Sequence, residues 1–180
     1  MVRISSFGSS LLWIVLITGW YLTWCEAAAQ AQGAGCTLTA VTSAPQRSVL
    51  KCPGLTVEAE QKAQYQLLDR DRNQVPDAAR LTSGALLIEY TPGTSKRGFQ
   101  ILTPHAIASV RGTTWAVDVA GANTAVFVQD GEVNVNRPRT TRGVVLHAGQ
   151  GVDVGPGTGA LVVKTWGAPR VAALLARFGR

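Results

Sequence analysis

Residues 101–119 read ILTPHAIASVRGTTWAVDV, and apolar residues alternate with small or polar ones through most of this stretch. Such alternation is typical of strands that bury one face. The polar run at residues 111–114 interrupts the pattern and predicts a corner between two strands, because Gly112 accepts backbone angles that other residues avoid. At this corner we expect Arg111 to donate hydrogen bonds to open carbonyl groups and Thr113 to bond the local backbone. Ligand binding by Arg111 is the alternative interpretation.

Similar patterns recur along the chain, where short runs of Val, Ile, Leu and Thr lie between Gly, Pro, Asn and Asp residues. This composition is the signature of many short strands, and helical periodicity is weak until the C-terminus. Strands are predicted near residues 37–38, 48–50, 55–58, 65–68, 86–90, 99–102, 106–110, 114–119, 125–128, 132–135, 144–146, 152–154 and 161–164.

A degenerate repeat supports the same interpretation, since Gly84 and Gly131 occupy equivalent positions in the similar stretches 81–88 and 128–135. Residues 146–154, with Gly149, continue the pattern with one residue inserted. Each copy predicts the end of one strand, a glycine turn and a second strand, and Asp130-Gly131 is a strong turn signal. Irregular spacing of the copies argues against a strict solenoid. The predicted fold class is therefore all-β, with a solenoid-like or sandwich-like body of many short strands and a short C-terminal helix.

The N-terminal residues 1–31 follow the order of a secretory signal peptide, with a basic residue, an apolar run and then the small residues of EAAAQAQGAG. Cleavage is predicted near Ala29 or Ala31, and an uncleaved signal anchor is the alternative. The predicted location of the protein is periplasmic or secreted.

Residues 32–80 are predicted to form a β-rich extension that contains Cys36 and Cys52. An even pair of cysteines in an exported chain predicts a disulfide bond. Two buried free thiols are the alternative, whereas a metal site lacks nearby histidines or further cysteines.

The last segment, residues 166–180, predicts an amphipathic helix that begins just after Pro169. We expect this helix to cap the open end of the β body and protect a strand edge. Contact of its arginines with an anionic membrane surface or a partner protein is the alternative. These arginines are Arg170, Arg177 and Arg180.

The formal net charge of +6 favours anionic partners such as acidic glycans or lipopolysaccharide phosphates. Nucleic acid is not expected, because no aromatic and basic residues interleave as in an oligonucleotide-binding surface. The densest basic run contains Arg137, Arg139 and Arg142. It predicts a solvated hairpin tip or a contact for a phosphate or carboxylate group.

The sequence predicts neither catalysis nor a metal or other cofactor. His105 and His147 have no neighbours at metal-ligand spacing, and neither a Gly-x-Ser-x-Gly elbow nor a phosphate-binding glycine loop is present. Asp118 and Asp153 are expected to share a solvent-exposed face, with nothing to set a catalytic separation between them.

Four short motifs follow one another along the chain: Ile101-x-Thr103-Pro104-x-Ala106, Val110-Arg111-Gly112-Thr113, Gly131-x-Val133-x-Val135 and Leu146-x-x-Gly149. Taken in this order, they resemble the FecR domain family. The residues that carry this resemblance lie between positions 84 and 154, within a predicted domain at residues 81–165, whereas residues 36–80 lie outside it. The family positions, to which we assign a structural role, are Thr103, Pro104, Arg111, Gly112, Thr113, Gly131 and Gly149.

The resemblance implies a periplasmic, non-catalytic and solenoid-like β module that binds other proteins. In the family's iron-uptake regulators, this module passes a signal from an outer-membrane receptor to a cytoplasmic anti-sigma segment. Those regulators also have a cytoplasmic domain before their apolar run and a signalling domain at their end. The present sequence is not expected to contain either, so direct transmission to a sigma factor is not expected. The predicted function is that of an interaction or signalling accessory in the cell envelope, with an envelope protein as its partner. Binding of an anionic glycan or lipopolysaccharide is the alternative, and membrane contact is expected only through the C-terminal helix.

Overall fold

The computed structural model describes residues 35–92 and 98–180 of the 180-residue chain, and the predicted signal peptide lies outside this part. Eleven strands form one sheet, and a short helix follows them, so the predicted all-β class is confirmed. The elements are β1 (Thr37–Val41), β2 (Arg47–Cys52), β3 (Leu55–Glu60), β4 (Gln64–Leu68), β5 (Ala78–Tyr90), β6 (Phe99–Leu102), β7 (Ile107–Ala120), β8 (Asn123–Asn136), β9 (Gly143–His147), β10 (Gln150–Val154), β11 (Val163–Thr165) and α1 (Ala168–Ala176).

Three long strands, β5, β7 and β8, change their partners part of the way along. The first part of β5 pairs with β4 and β6, and its second part pairs with β3 and β7. In β7 the first part pairs with β6, and in β8 the two parts pair with β10 and β9 in turn. The sheet order is β1-β2-β3-β5-β6-β7-β8-β10-β11, with β4 beside β5 and β9 beside β8.

The partner changes occur at Gly84 and Gly131 of the degenerate repeat and at Gly112 of the Arg-Gly-Thr-Thr run. Gly84 and Gly131 have φ values of 80° and 86°, which bend a strand without ending its hydrogen-bonded ladder. The predicted turn between two strands was therefore wrong for residues 81–88 and 128–135, as was the predicted corner at residues 111–114. The latter residues lie inside β7, where the pairing with β8 shifts between Val110 and Thr113. For residues 146–154 the predicted turn is confirmed, because Gly149 lies in the turn between β9 and β10.

Alternation along the bent strands divides the apolar residues between two cores. Trp115, Val117 and Ile88 belong to the larger core, which joins residues from β3, β5, β7, β8 and β10. Ala116 and Leu87, one position away, belong to a second core on the opposite face. The central strands therefore bury both faces, and the second face requires a cover.

Helix α1 and the residues around it provide this cover. Leu174, Phe178 and Trp166 pack on the second core, and the rings of Trp166 and Phe127 stack with centroids 5.1 Å apart. The prediction that the helix caps a strand edge was wrong, because α1 lies on a face of the sheet. No helix in residues 35–92 or 98–180 has the length and hydrophobicity needed to cross a bilayer.

A disulfide bond joins Cys36, just before β1, to Cys52 at the end of β2. The two Cα atoms are 4.2 Å apart, as the register of these antiparallel neighbours requires. The predicted disulfide is confirmed. In a chain-entropy description, closing a loop of this length contributes about 3 kcal/mol to stability.

Candidate interaction surfaces

Four of the FecR-like positions meet at one place, where β5 ends and where β7 and β8 bend. They line a cleft of about 680 Å³ together with acidic and apolar residues from these strands. The FecR-like positions in this cleft are Arg111, Gly112, Thr113 and Gly131.

Thr113 and Gly131 have structural tasks in the bend. The Thr113 hydroxyl donates to the carbonyl oxygen of Glu132 over 2.9 Å and accepts from the Glu132 amide over 3.3 Å. At Gly131 an added Cβ would lie 2.5 Å from the carbonyl oxygen of Gly112. The hydroxyl therefore ties β7 to β8 where the regular ladder is interrupted, and only glycine allows the backbones to approach so closely.

Arg111 behaves differently from its neighbours in the motif. Its side chain is exposed and makes no hydrogen bond or ion pair with any residue that the structure describes. The expected bonds from Arg111 to strand carbonyls are therefore absent from this part of the chain. Three carboxylates line the same cleft, of which Glu89 pairs with Arg180 over 2.7 Å and Glu132 with His147 over 3.1 Å.

Thr103 and Pro104 form the turn between β6 and β7. The Thr103 hydroxyl accepts from the Ala106 amide over 2.8 Å and lies 2.9 Å from the buried hydroxyl of Thr124. His105 joins this group, since its Nδ1 lies 3.1 Å from the Thr124 hydroxyl. The turn is therefore attached to the first residues of β8 by side-chain hydrogen bonds.

Gly149 lies in the tight turn between β9 and β10, with a φ of 79°. Its amide donates to the Val128 carbonyl over 2.9 Å, and its carbonyl accepts from the Trp166 amide over 3.0 Å. Gly149 thus links the bend of β8 to the residue that anchors the C-terminal segment.

The basic loop between β8 and β9 contains two kinds of arginine. Arg137 donates to the carbonyls of Gly155 and Gly159, over 2.6 Å and 3.1 Å, and so holds the segment that leads to β11. Arg139 and Arg142 are exposed and have no ion pair among residues 35–92 and 98–180. Of the three arginines in this loop, only Arg139 and Arg142 are therefore available to an anionic partner.

An ion-pair network that the sequence analysis missed attaches the C-terminal segment to the sheet. Arg177 donates to both carboxylate oxygens of Glu60, over 2.7 Å and 2.6 Å, and lies 2.9 Å from Asp118. Arg180 contacts Glu58 and Glu89, and Arg170 contacts Asp153 over 2.9 Å. Arg170 also stacks over the Trp166 ring, 3.4 Å from its centroid.

One signal for this network was present in the sequence. Glu58 and Glu60 are two residues apart in a strand, which puts them on one face, while Arg177 and Arg180 are three apart at the end of a helix. Nothing local, however, indicates that these two pairs meet. Asp118 and Asp153 do share a face, as both lie beside Ala125, but the C-terminal segment covers that face.

The network lowers the pKa of two of its carboxylates, Glu60 and Asp153. Burial alone would raise the pKa of Glu60, but the hydrogen bonds and the charge of Arg177 outweigh it and lower this pKa. The hydrogen bond from Arg170 lowers the pKa of Asp153 despite partial burial. The pKa of Arg177 is raised in return, chiefly by its hydrogen bond to Glu60. Carboxylates held in this way are poor proton donors near neutral pH.

No group of three or more His, Cys, Asp or Glu side chains within the described ranges is arranged to hold a metal ion. The candidate interaction surfaces are a mixed-charge cleft and an exposed basic loop. Fold and surfaces together define an all-β domain, a single bent sheet with an amphipathic segment on one face.

A family model described as FecR protein matches residues 39–134, which is more than half of the chain. The chain belongs to the FecR family. The matched region includes residues 39–80, which the resemblance by motifs had left out, and it ends before Gly149.

Two crystal structures of a candidate anti-sigma factor from Parabacteroides distasonis ATCC 8503, at 1.65 Å and 2.50 Å resolution, are similar to this chain. Both are 20% identical to it, with TM-scores of 0.48 and 0.47, and the similarity covers 77% of this chain. The chain spans 60% of the length of those proteins. A search of curated protein sequences gave no match.

Proposed function

We propose that this FecR-family chain is exported, lacks catalytic activity and acts as a protein-interaction or signalling accessory in the cell envelope. Membership of the FecR family carries the proposal, because proteins of this family are generally not enzymes. The Cys36–Cys52 disulfide supports an oxidising compartment, periplasmic or extracellular. Partner contact is assigned to strand edges and turns, which are the places where a sheet offers unpaired backbone groups.

Crosslinking in intact cells, followed by identification of the attached molecules, tests this function. We expect one defined envelope protein to be captured, and the capture to resist added salt. Mass measurement of the protein from the same cells, with and without reductant, reports both the start of the mature chain and the disulfide. Recovery of peptidoglycan or lipopolysaccharide without any protein would contradict the proposal.

A second function, binding of an anionic glycan or lipopolysaccharide, is favoured by one observation. Arg139 and Arg142 are exposed and have no ion pair in the described part of the chain. Phosphate or carboxylate groups are natural ligands for such guanidinium groups. Salt-sensitive retention on purified envelope polysaccharide, lost in an R139E/R142E variant, is the expected sign of this function.

A further inference from the structure

The sheet has four outer strands, β1, β4, β9 and β11, and they differ in how they present their edges. Proteins protect such edges with short strands, charges, prolines or bulges. In this sheet, β11 has only three residues and contains Lys164, and the pairing of β4 shifts between Gln64 and Tyr65. β1 and β9 have none of these features, as their sequences are TLTAV and GVVLH and their ladders with β2 and β8 are regular.

β9 also exposes apolar surface. Val145, in the middle of the strand, is 47% exposed, and within the described ranges it is the one large apolar residue of a strand that is exposed to this degree. The other exposed valine, Val162, lies outside any strand and is 60% exposed. An open edge with an exposed β-branched residue is suited to receive another strand.

The charge at the beginning of β9 restricts the kind of strand that can pair with its open edge. Arg142 directly precedes β9, and Arg139 lies in the same loop, both of them exposed. Arg137 holds the carbonyls of Gly155 and Gly159 and so fixes one side of this loop. At the other end of β9, His147 is already paired with Glu132. Positive charge is therefore available at one end of the edge only.

We propose that the open edge of β9 binds an extended segment of another protein, with an apolar residue beside Val145 and carboxylates beside Arg139 and Arg142. The inference rests on the proposed function and names its binding site. Backbone hydrogen bonds supply affinity in such strand addition, and the side chains at the edge supply selectivity. A second copy of the chain is a poorer occupant, because its net charge of +6 opposes self-association.

The test uses the full chain and fluorescent six-residue peptides of alternating Thr and Val that end in two Asp or in two Lys. Peptides with the charged pair at either end cover both strand directions. We expect an Asp peptide to bind about tenfold more tightly than its Lys counterpart. We also expect it to slow amide hydrogen exchange in residues 143–147.

Matched variants locate the site. Val145→Lys should weaken peptide binding about tenfold, whereas Val162→Lys, the same change at an exposed valine outside any strand, should leave it unchanged. Arg142→Glu should remove the preference for Asp peptides, and Lys51→Glu, an equal charge change elsewhere on the surface, should not. Melting temperatures of all four variants confirm that they fold.

Several results would overturn the inference. These are a lack of binding by all peptides, equal binding by the Val145→Lys and Val162→Lys variants, and unchanged exchange in residues 143–147. A dimer in sedimentation that Val145→Lys dissociates would assign the edge to a second copy instead.

The proposed function is judged separately: if Val145→Lys still captures the wild-type partner in cells, the β9 site fails and the function stands. If wild type captures no protein, the function fails whatever the peptides do.

Discussion

At the scale of single residues, the course of β8 depends on Gly131. Its φ of 86° bends the strand, and its missing side chain lets the Gly112 carbonyl of β7 approach. Gly84 does the same for β5, where an added Cβ would lie 2.7 Å from the Cα of Ala63. Gly84 and Gly131 thus have equivalent structural roles in strands that are distant in sequence.

Gly131→Ala is expected to lower the free energy of unfolding by about 2–4 kcal/mol, because left-handed strain adds to a clash with backbone. An added Cβ would lie 2.5 Å from the Gly112 carbonyl and 2.8 Å from the Thr113 hydroxyl. Gly121→Ala is the matched control, since Gly121 also has a positive φ, of 56°, but has nothing within 4 Å of an added Cβ. Its cost should be about 1 kcal/mol. Equal losses of the two variants in denaturant titrations would refute the steric argument.

Thr113 and Arg111 should differ sharply in their effect on stability, although both belong to the FecR-like motif. Thr113→Val removes a hydroxyl that bonds both backbone groups of Glu132, at a cost of about 1–2 kcal/mol. Arg111→Ala removes an exposed side chain without a described partner, so the change should stay within about 0.5 kcal/mol. Thermal unfolding of both variants measures the contrast. A larger loss for Arg111→Ala would restore the structural role first expected of it.

At the scale of elements, the C-terminal segment depends on the sheet for its position. Helix α1 has nine residues, no side-chain cap at its beginning and no acidic residue in its first turn. Such a short helix is marginal by itself, so tertiary contacts must hold it in place. Those contacts are the second apolar core and the ion pairs of Arg170, Arg177 and Arg180.

Arg177→Gln tests the attachment of this element. The change leaves the partly buried carboxylates of Glu60 and Asp118 without their shared cation, and we expect a loss of about 1–3 kcal/mol. Arg139→Gln is the control, because Arg139 is exposed and lacks a described ion pair. Faster hydrogen exchange in α1 of the Arg177→Gln variant should accompany the loss. Identical stabilities of the two variants would show that the apolar contacts alone hold the segment.

At the scale of the whole molecule, ion pairs with the C-terminal segment make stability depend on pH. The pKa values of Glu60 and Asp153 are lowered below their usual values of 4.5 and 3.8 by Arg177 and Arg170. A carboxylate with a lowered pKa stabilises the folded state fully above its usual pKa and loses this effect as pH falls through the lowered value.

We therefore expect the melting temperature to be level near neutral pH and to fall as the pH drops below about 4. In Glu60→Gln the drop should be smaller, since one of the two groups no longer titrates. Melting curves between pH 7 and the acid range measure the effect. An acid dependence that is the same in Glu60→Gln and wild type would exclude Glu60 as a source of it.

The features that the sequence determined by itself follow from patterns among neighbouring residues. Alternation of apolar and polar residues predicted an all-β domain, the two cysteines predicted the disulfide, and short motifs between residues 84 and 154 indicated the FecR family. Each of these signals is local, or depends only on residue type and cellular compartment. The amphipathic pattern after Pro169 likewise predicted a helix, which extends over Ala168–Ala176.

Only the tertiary structure decided which elements meet. An Asp-Gly pair favours a hairpin turn, but β8 continues through Asp130 and Gly131 without ending, because β7 pairs with it on both sides of the bend. Arg177 and Glu60 are 117 residues apart, and no local pattern says that the helix would lie on a face of the sheet instead of at an edge. The pairing of strand halves and of distant charges is set by long-range contacts. These contacts form only when the whole chain folds, because both faces of the central strands must then be buried.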